Sequence, residues 1–236
     1  VLTRRDREGV IYRKSMFRAE LSNSPPYRAV EGKTISYGRF RHPIPRPNIK
    51  GGGRLGRLRL KEWHYSSVVT DRVFVAFGLV QLGYLANAFC YLVDRADSNQ
   101  FWEYEAISPA GRGLRFAPSS VLGLTDWKLG KARIKVGWDR GWNVDLDLLL
   151  EEERLRGNFR FEPKESLALL FDLAKNRPAY THKAAALPAT GSFTWRGELI
   201  RFDNGLASLD WTRSVAKHET RWKWASCSTK LVDGRT

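Results

Sequence analysis

A chain of 236 residues, 42% hydrophobic and 28% charged, has an ordinary globular balance and enough length for one large domain or two small ones. Its two cysteines, Cys90 and Cys227, exclude a disulfide framework and a cysteine-built metal site, and favour a reducing compartment. The net charge of +15 belongs to one end: residues 1–61 hold sixteen Lys or Arg against four Asp or Glu, and the remainder is near balance.

Residues 1–60 read as an extended basic arm. SNSPPY and HPIPRPNIKGGGRLG are rich in proline and glycine. Proline fixes φ and removes a donor, and glycine raises backbone entropy, so neither supports a long helix or a central strand. The arm is too polar to bury itself and needs a surface, either its own barrel or a partner. Arg39, Arg41, Arg46, Lys50, Arg54, Arg57 and Arg59 alternate with Pro, Gly and apolar residues. This pattern suits an acidic face of a larger protein assembly, an anionic lipid surface or RNA. No nucleic-acid-binding signature accompanies it, so RNA contact is expected only as part of an assembly. GGGRLG, Gly51 to Gly56, lacks the lysine spacing of a phosphate loop and reads as a hinge. The first residue is Val1, and no apolar segment of secretory type follows. A removed presequence or a trimmed chain is expected, and with the former an organellar location, plastid or mitochondrion.

From Lys61 the pattern becomes period two. Val73 to Val93, VFVAFGLVQLGYLANAFCYLV, is long enough for a membrane-spanning helix. Gly78, Gln81, Gly83 and Asn87 would fall mid-span, however, and Val, Phe and Tyr favour strands. A buried hairpin turning at Gln81-Leu82-Gly83-Tyr84 is the preferred reading, with the span as the alternative. Ala132 to Trp138 and Trp142 to Leu150 alternate apolar and polar residues about Asp139-Arg140-Gly141, which predicts an antiparallel hairpin. Lys164 to Lys175 reads as a helix by propensity. Ser192 to Phe202 predicts a second hairpin turning near Arg196-Gly197-Glu198. Glu219 to Ser228 predicts a strand with Trp222 and Trp224 on one face. Nine Trp and twelve Phe suit a β-rich core or a wide apolar pocket.

Three stretches carry a family resemblance. KEWHYSSVVTDRVFVAF, Lys61 to Phe77, resembles a K-x-W-x-Y … D-R opening. YTHKAAALPATG, Tyr180 to Gly191, resembles F-x-T-x-K … L-P-x-x-G. GLASLDWTRSVAKHETRWKWASCS, Gly205 to Ser228, resembles G-x-L-D-W-x-R-G … R-T-x-W-x-W-A-S-A-S. Together they resemble a family of domains of unknown function from bacteria and algae. The resemblance implies the lipocalin-like, two-barrel architecture of the carotenoid hydratase and hydroxyneurosporene synthase relatives. It implies a mostly β, antiparallel barrel over residues 61–236, continuing into an incomplete second barrel. The apolar run becomes a barrel hairpin, and the helix-like Glu165 to Lys175 becomes a strand.

What such a barrel does is less determined. Lipocalin-like barrels commonly hold one apolar ligand, here an isoprenoid or lipid, and no cofactor is required. Hydration of an isoprenoid needs a carboxylic acid to protonate a C=C bond and aromatic faces to stabilise the cation. Asp210 is the candidate acid; Trp211, Trp222, Trp224 and Lys183 are the candidate ligand-binding residues. On a strand Asp210 and Trp211 point to opposite faces, so they share a lumen only across a bulge. The bland reading pairs Asp210 with Arg213 or Arg221 at a rim and places the tryptophans in the core. A lumen filled by Trp138, Trp142, Trp222 and Trp224 would exclude a ligand there. Two departures from the family pattern, Gln81 and Gly83 where an acid is expected and Ala184-Ala185-Ala186 where amides are expected, remove polar groups. They favour a non-catalytic accessory or scaffold subunit. His64, His182 and His218 are scattered, and their spacing does not suggest a metal site.

Overall fold

The alternation of apolar and polar residues builds strands with two unlike faces. The computed structural model describes residues 20–52, 56–97, 100–217, 219 and 225–229. A ladder of β1 (Val30–Glu31) and β2 (Thr34–Ile35) is followed by β3 (Gly38–Phe40) and one helical turn, α1 (Gly56–Arg59). Then come β4 (Leu60–Val69), β5 (Val73–Gln81), β6 (Leu85–Asp94), β7 (Phe101–Pro109), β8 (Leu114–Arg115) and β9 (Leu124–Leu129). The last six are β10 (Ala132–Trp138), β11 (Trp142–Leu150), β12 (Glu153–Phe161), β13 (Leu167–Asp172), β14 (Pro178–Trp195) and β15 (Glu198–Val215).

Thirteen strands share one antiparallel sheet. Its order is β7-β6-β5-β4-β15-β14-β12-β11-β10-β9-β8, with β13 joining β14 and β3 joining β13. The sheet curls: Glu151 N–H, just after β11, donates to Glu103 O of β7 at 3.2 Å. Trp127 Nε1–H of β9 donates to the Tyr104 hydroxyl of β7 at 3.1 Å. The outcome is the mostly β, antiparallel, lipocalin-like architecture expected. The inner face is packed with aromatic rings. Trp127, Trp211, Tyr180, Phe77, Phe161 and Phe193 are all fully buried. Trp142 stacks on Phe161 at 5.0 Å and meets Trp138 edge-on at 4.7 Å.

The hairpins fall where the pattern puts them. β10 pairs with β11 up to Trp138↔Trp142, and Arg140 takes a left-handed φ of 53° in the turn. β5 pairs with β6 from Val73↔Asp94 to Gln81↔Ala86, with Gly83 at a φ of 86°. This pairing overturns the membrane-helix alternative for Val73 to Val93. Among the described residues, no helix is long and apolar enough to cross a membrane. Arg196 and Gly197, at φ 50° and 80°, join β14 to β15 in the doubly left-handed manner that suits the twist of a tight hairpin.

Two expectations need amendment. The helix read by propensity over Lys164 to Lys175 is not one: β13 occupies its middle. Ala168 and Leu170 are buried on one face, and the strand pairs on one edge with β14 and on the other with β3. Two ladders and an apolar face outweigh the few tenths of a kcal/mol per residue that propensity supplies. The strand implied by the family resemblance is the one that forms. Of the strand expected over Glu219 to Ser228, Glu219 and residues 225–228 are described and are not in a strand. Trp222 and Trp224 lie outside the described residues.

Residues 20–52 find their surface on their own barrel. β3 adds to β13, Ile44 and Ile49 are buried, and Ile44 N–H donates to the Tyr180 hydroxyl at 2.9 Å. Tyr37 donates to Asp172 at 2.7 Å, and burial together with that carboxylate pushes its phenol up to about 12.

Candidate functional site

The stretches that carry the resemblance alternate with period two, and strand pairing brings them together. Asp210 of β15 is the register partner of Lys183 on β14 and of Tyr65 on β4. Thr212 likewise lies between Thr181 and Trp63. The fixed positions of K-x-W-x-Y, T-x-K and L-D-W therefore meet on one face of three adjacent strands. Trp211 and the intervening histidines point the other way, into the core, as alternation requires.

The outer face is a hydroxyl-lined ion pair beside an aromatic strip. Lys183 Nζ donates to Asp210 Oδ2; the Lys183 side chain is 36% exposed and that of Asp210 only 9%. Thr212 Oγ1 donates to Thr181 Oγ1 at 2.8 Å, and Thr181 Oγ1 donates to Asp210 Oδ1 at 3.4 Å. The Tyr65 and Tyr91 hydroxyls lie 3.5 Å apart. Burial, reinforced by Tyr91, pushes the Tyr65 phenol above its ordinary range, so it stays a donor. Ser208 and Ser228 extend the hydroxyl lining at 3.4 Å, and Ser228 Oγ accepts from Ala186 N–H at 3.0 Å. Next to these, Trp63 meets Phe89 at 5.8 Å, Phe89 stacks on Tyr91 at 6.5 Å, and Tyr91 meets Phe74 at 5.8 Å. All four rings are half-buried or, for Phe89, laid over Gly78, where a Cβ would meet the ring at 2.3 Å.

The Asp210 oxygens face donors: an ammonium and a relay of threonine hydroxyls. Hydration of an alkene asks for the reverse, an acid whose own proton points at the substrate. The pairing expected with Arg213 is not the one made, and Arg221 lies outside the described residues. Arg213 instead forks onto Glu62, with Nε–H to Oε1 at 2.8 Å.

The inner face of the same strands carries His182, Trp211 and His64 in register, with Ser66 two residues beyond His64. Burial pulls both imidazoles down to about 3, and the charge on His64 adds to the depression of His182. Unfolded, each takes its proton near pH 6.5. Between those values the unfolded chain holds up to two more protons than the folded one, so stability falls as pH drops. The expected slope reaches about 2.7 kcal/mol per pH unit while both histidines engage. Urea titrations at pH 7.5 and pH 5 check this; equal midpoints would rule it out. The interval from pH 5 to 7.5 lies above the range in which Asp147, held low first by its bond to Arg154, contributes. Among the described residues, no group of three or more His, Cys, Asp or Glu is placed to hold a metal.

A profile of domains of unknown function, DUF2804, matches residues 19–236. The chain belongs to the DUF2804 family. Among curated proteins, no sequence matches it. The crystal structure of a protein provisionally named AttH from Nitrosomonas europaea is 16% identical and aligns with a TM-score of 0.46. That alignment covers 73% of this chain and 58% of the other, so this chain spans less than two thirds of that protein.

The arm residues of the DUF2804 domain are less free than their sequence suggests. Arg41 pairs with Glu165, and its carbonyl accepts from Ser166 Oγ at 2.9 Å. Arg46 sits over the Tyr27 ring at 5.8 Å. Arg39 lies in the ladder opposite Leu169. Lys50 and Arg59 are exposed, while Arg54 and the Arg57 side chain lie outside the described residues. What sequence reasoning missed is the histidine pair. His64 and His182 are 118 positions apart in the chain, and their shared signal was only that each fills the variable place beside a fixed one: His64 before Tyr65, His182 before Lys183.

Proposed function

We propose that this DUF2804 domain is a non-catalytic binding subunit that holds an isoprenoid- or lipid-like molecule with an acidic head on the outside of its barrel. The observation that carries this reading is the Lys183–Asp210 pair, which shares a cross-strand row with Tyr65 and Phe89, beside the strip Trp63, Phe89, Tyr91 and Phe74. The partly exposed ammonium has donors left for a carboxylate head, and the hydroxyls around it can share that head. The rings suit an apolar tail. A lumen site for a molecule as large as an isoprenoid or lipid is disfavoured, because Trp127, Trp142, Trp211 and Phe161 occupy the inner face. As an accessory of a larger organellar assembly, the domain would offer Arg46, Lys50 and Arg59 to an acidic partner surface.

Retinoic acid, an isoprenoid acid that quenches tryptophan emission, is a suitable probe. Saturable quenching is expected, weakened about tenfold or more in Phe89→Ala and in Lys183→Ala, the loss of about 1.4 kcal/mol each. Trp142→Phe on the inner face should leave affinity unchanged. Quenching that ignores both outer-face variants would end the proposal. Turnover of a bound isoprenoid that Asp210→Asn abolishes, with binding intact, would replace it with the hydratase reading.

A further inference from the structure

The inner rung poses its own question, on the opposite face from the ligand site above. His64, His182, Ser66 and Trp211 are between 0% and 2% exposed. Yet His64 Nε2, His182 Nε2, Ser66 Oγ and Trp211 Nε1 make no hydrogen bond to the protein. An unmet buried polar atom is costly, and three from one cross-strand row, with a fourth two residues along β4, are a concentration that packing alone does not explain.

The remaining bonds bear on the tautomer each ring takes. Thr125 Oγ1 accepts from Ala117 N–H at 3.2 Å and lies 3.2 Å from His64 Nδ1. A threonine proton given to Nδ1 leaves over only the Nε2–H, whereas a ring that donates leaves over both the threonine proton and the Nε2 lone pair, so the arrangement that strands fewer groups puts the hydrogen on Nε2. Ser120 Oγ lies 2.9 Å from His182 Nδ1. If the serine donates, one group is left over, the Nε2–H. If the ring donates, both the serine proton and the Nε2 lone pair are left over. The first arrangement strands fewer groups, so His182 Nε2 also carries a hydrogen. Trp211 Nε1–H can only donate. The rung therefore presents three N–H donors and one hydroxyl, with no matching set of acceptors.

Water fits this set poorly. A buried water accepting from two of the N–H groups must place two protons of its own, and of these four groups Ser66 Oγ is the side-chain oxygen that could take one. An sp² oxygen brings acceptors and no protons. Aromatic rings pack around the rung, so a ligand there has to be small: Phe116 stands 5.9 Å from Trp211 and 6.2 Å from His64, Tyr180 6.0 Å from Trp211, and Trp142 6.2 Å from His182, centroid to centroid. We propose that the barrel interior binds a small acceptor-only molecule, a carboxylate or carbonyl of about the size of acetate, through His64, His182 and Trp211.

The test uses ¹⁵N-labelled protein, the Trp211 indole signal being assigned by its loss in Trp211→Phe. Acetate and acetone are titrated separately; whichever shifts that signal saturably identifies a carboxylate or a neutral carbonyl. The native mass of the purified protein is compared with its denatured mass in parallel, for a ligand already in place. A saturable shift, or a native excess lost in Trp211→Phe and kept in Lys183→Ala, supports the proposal. The affinity should fall at least tenfold in His64→Phe, or in Ser66→Ala should the former not fold. No shift with either probe together with no native excess overturns it, and the rung is then a hydration site. Because Lys183→Ala affects only the outer face, failure here and failure of the outer ligand site are told apart.

Discussion

Arg213→Ala should lower the free energy of unfolding by about 3–5 kcal/mol, the loss expected when one member of a buried ion pair is removed and the other is left without it. Arg213 sends Nε–H and Nη2–H to the same Glu62 oxygen, which joins β15 to β4. Its Nη1–H donates to Pro118 O at 3.2 Å and its Nη2–H to Ala117 O at 3.3 Å. The guanidinium also lies over Trp211 at 5.4 Å. The two side chains are only 15% and 9% exposed, so water offers Glu62 little in exchange. Arg213→Lys should recover only part of the loss, since an ammonium cannot reach Glu62 and two carbonyls as a planar fork does. Replacing the pair together, Glu62→Leu with Arg213→Met, should cost much less than Arg213→Ala alone. Denaturant unfolding of the four proteins decides this. A loss below about 1 kcal/mol in Arg213→Ala would mean the pair is hydrated after all.

Trp211→Ala should cost a comparable amount, about 3–5 kcal/mol, through the cavity left by a fully buried indole. Trp211 is 0% exposed and packs edge-on against Tyr180 and tilted against Phe116. Trp211→Phe is the informative companion. It keeps an aromatic ring and removes the Nε1–H. If nothing accepts from that N–H, deleting it removes an unmet donor, and the variant should lie well within half of the alanine loss. A cost for phenylalanine equal to that for alanine would show that the indole hydrogen bond is satisfied in solution, as the internal ligand requires. Thermal or chemical unfolding of both variants supplies the comparison.

Much of the architecture was legible because it is local. Asp139-Arg140-Gly141 and Arg196-Gly197 are turn chemistry, and the residues flanking them alternate with the pleat, so each hairpin follows from a dozen consecutive residues. Val73 to Val93 needed one step more. Its apolar length suits a helix or two strands, and only Gly83 in a left-handed turn, with pairing on both sides, decides between them. Lys164 to Lys175 marks the limit of propensity. Its middle became β13 because two neighbouring edges were open to it, and those edges come from β14 and from β3 in the arm.

The site divides along the same line. From its sequence the chain could be assigned an antiparallel β fold, a proline- and glycine-rich arm without a long helix, and opposite directions for Asp210 and Trp211, since each of these is a property of neighbouring residues. Which groups those side chains meet was decided by the sheet alone. Asp210 meets Lys183 and not Arg213, and His64 and His182 stand on either side of Trp211, because β14, β15 and β4 lie side by side in one register. Register is set by the summed fit of many side chains along the ladder, and no short stretch of the chain contains it.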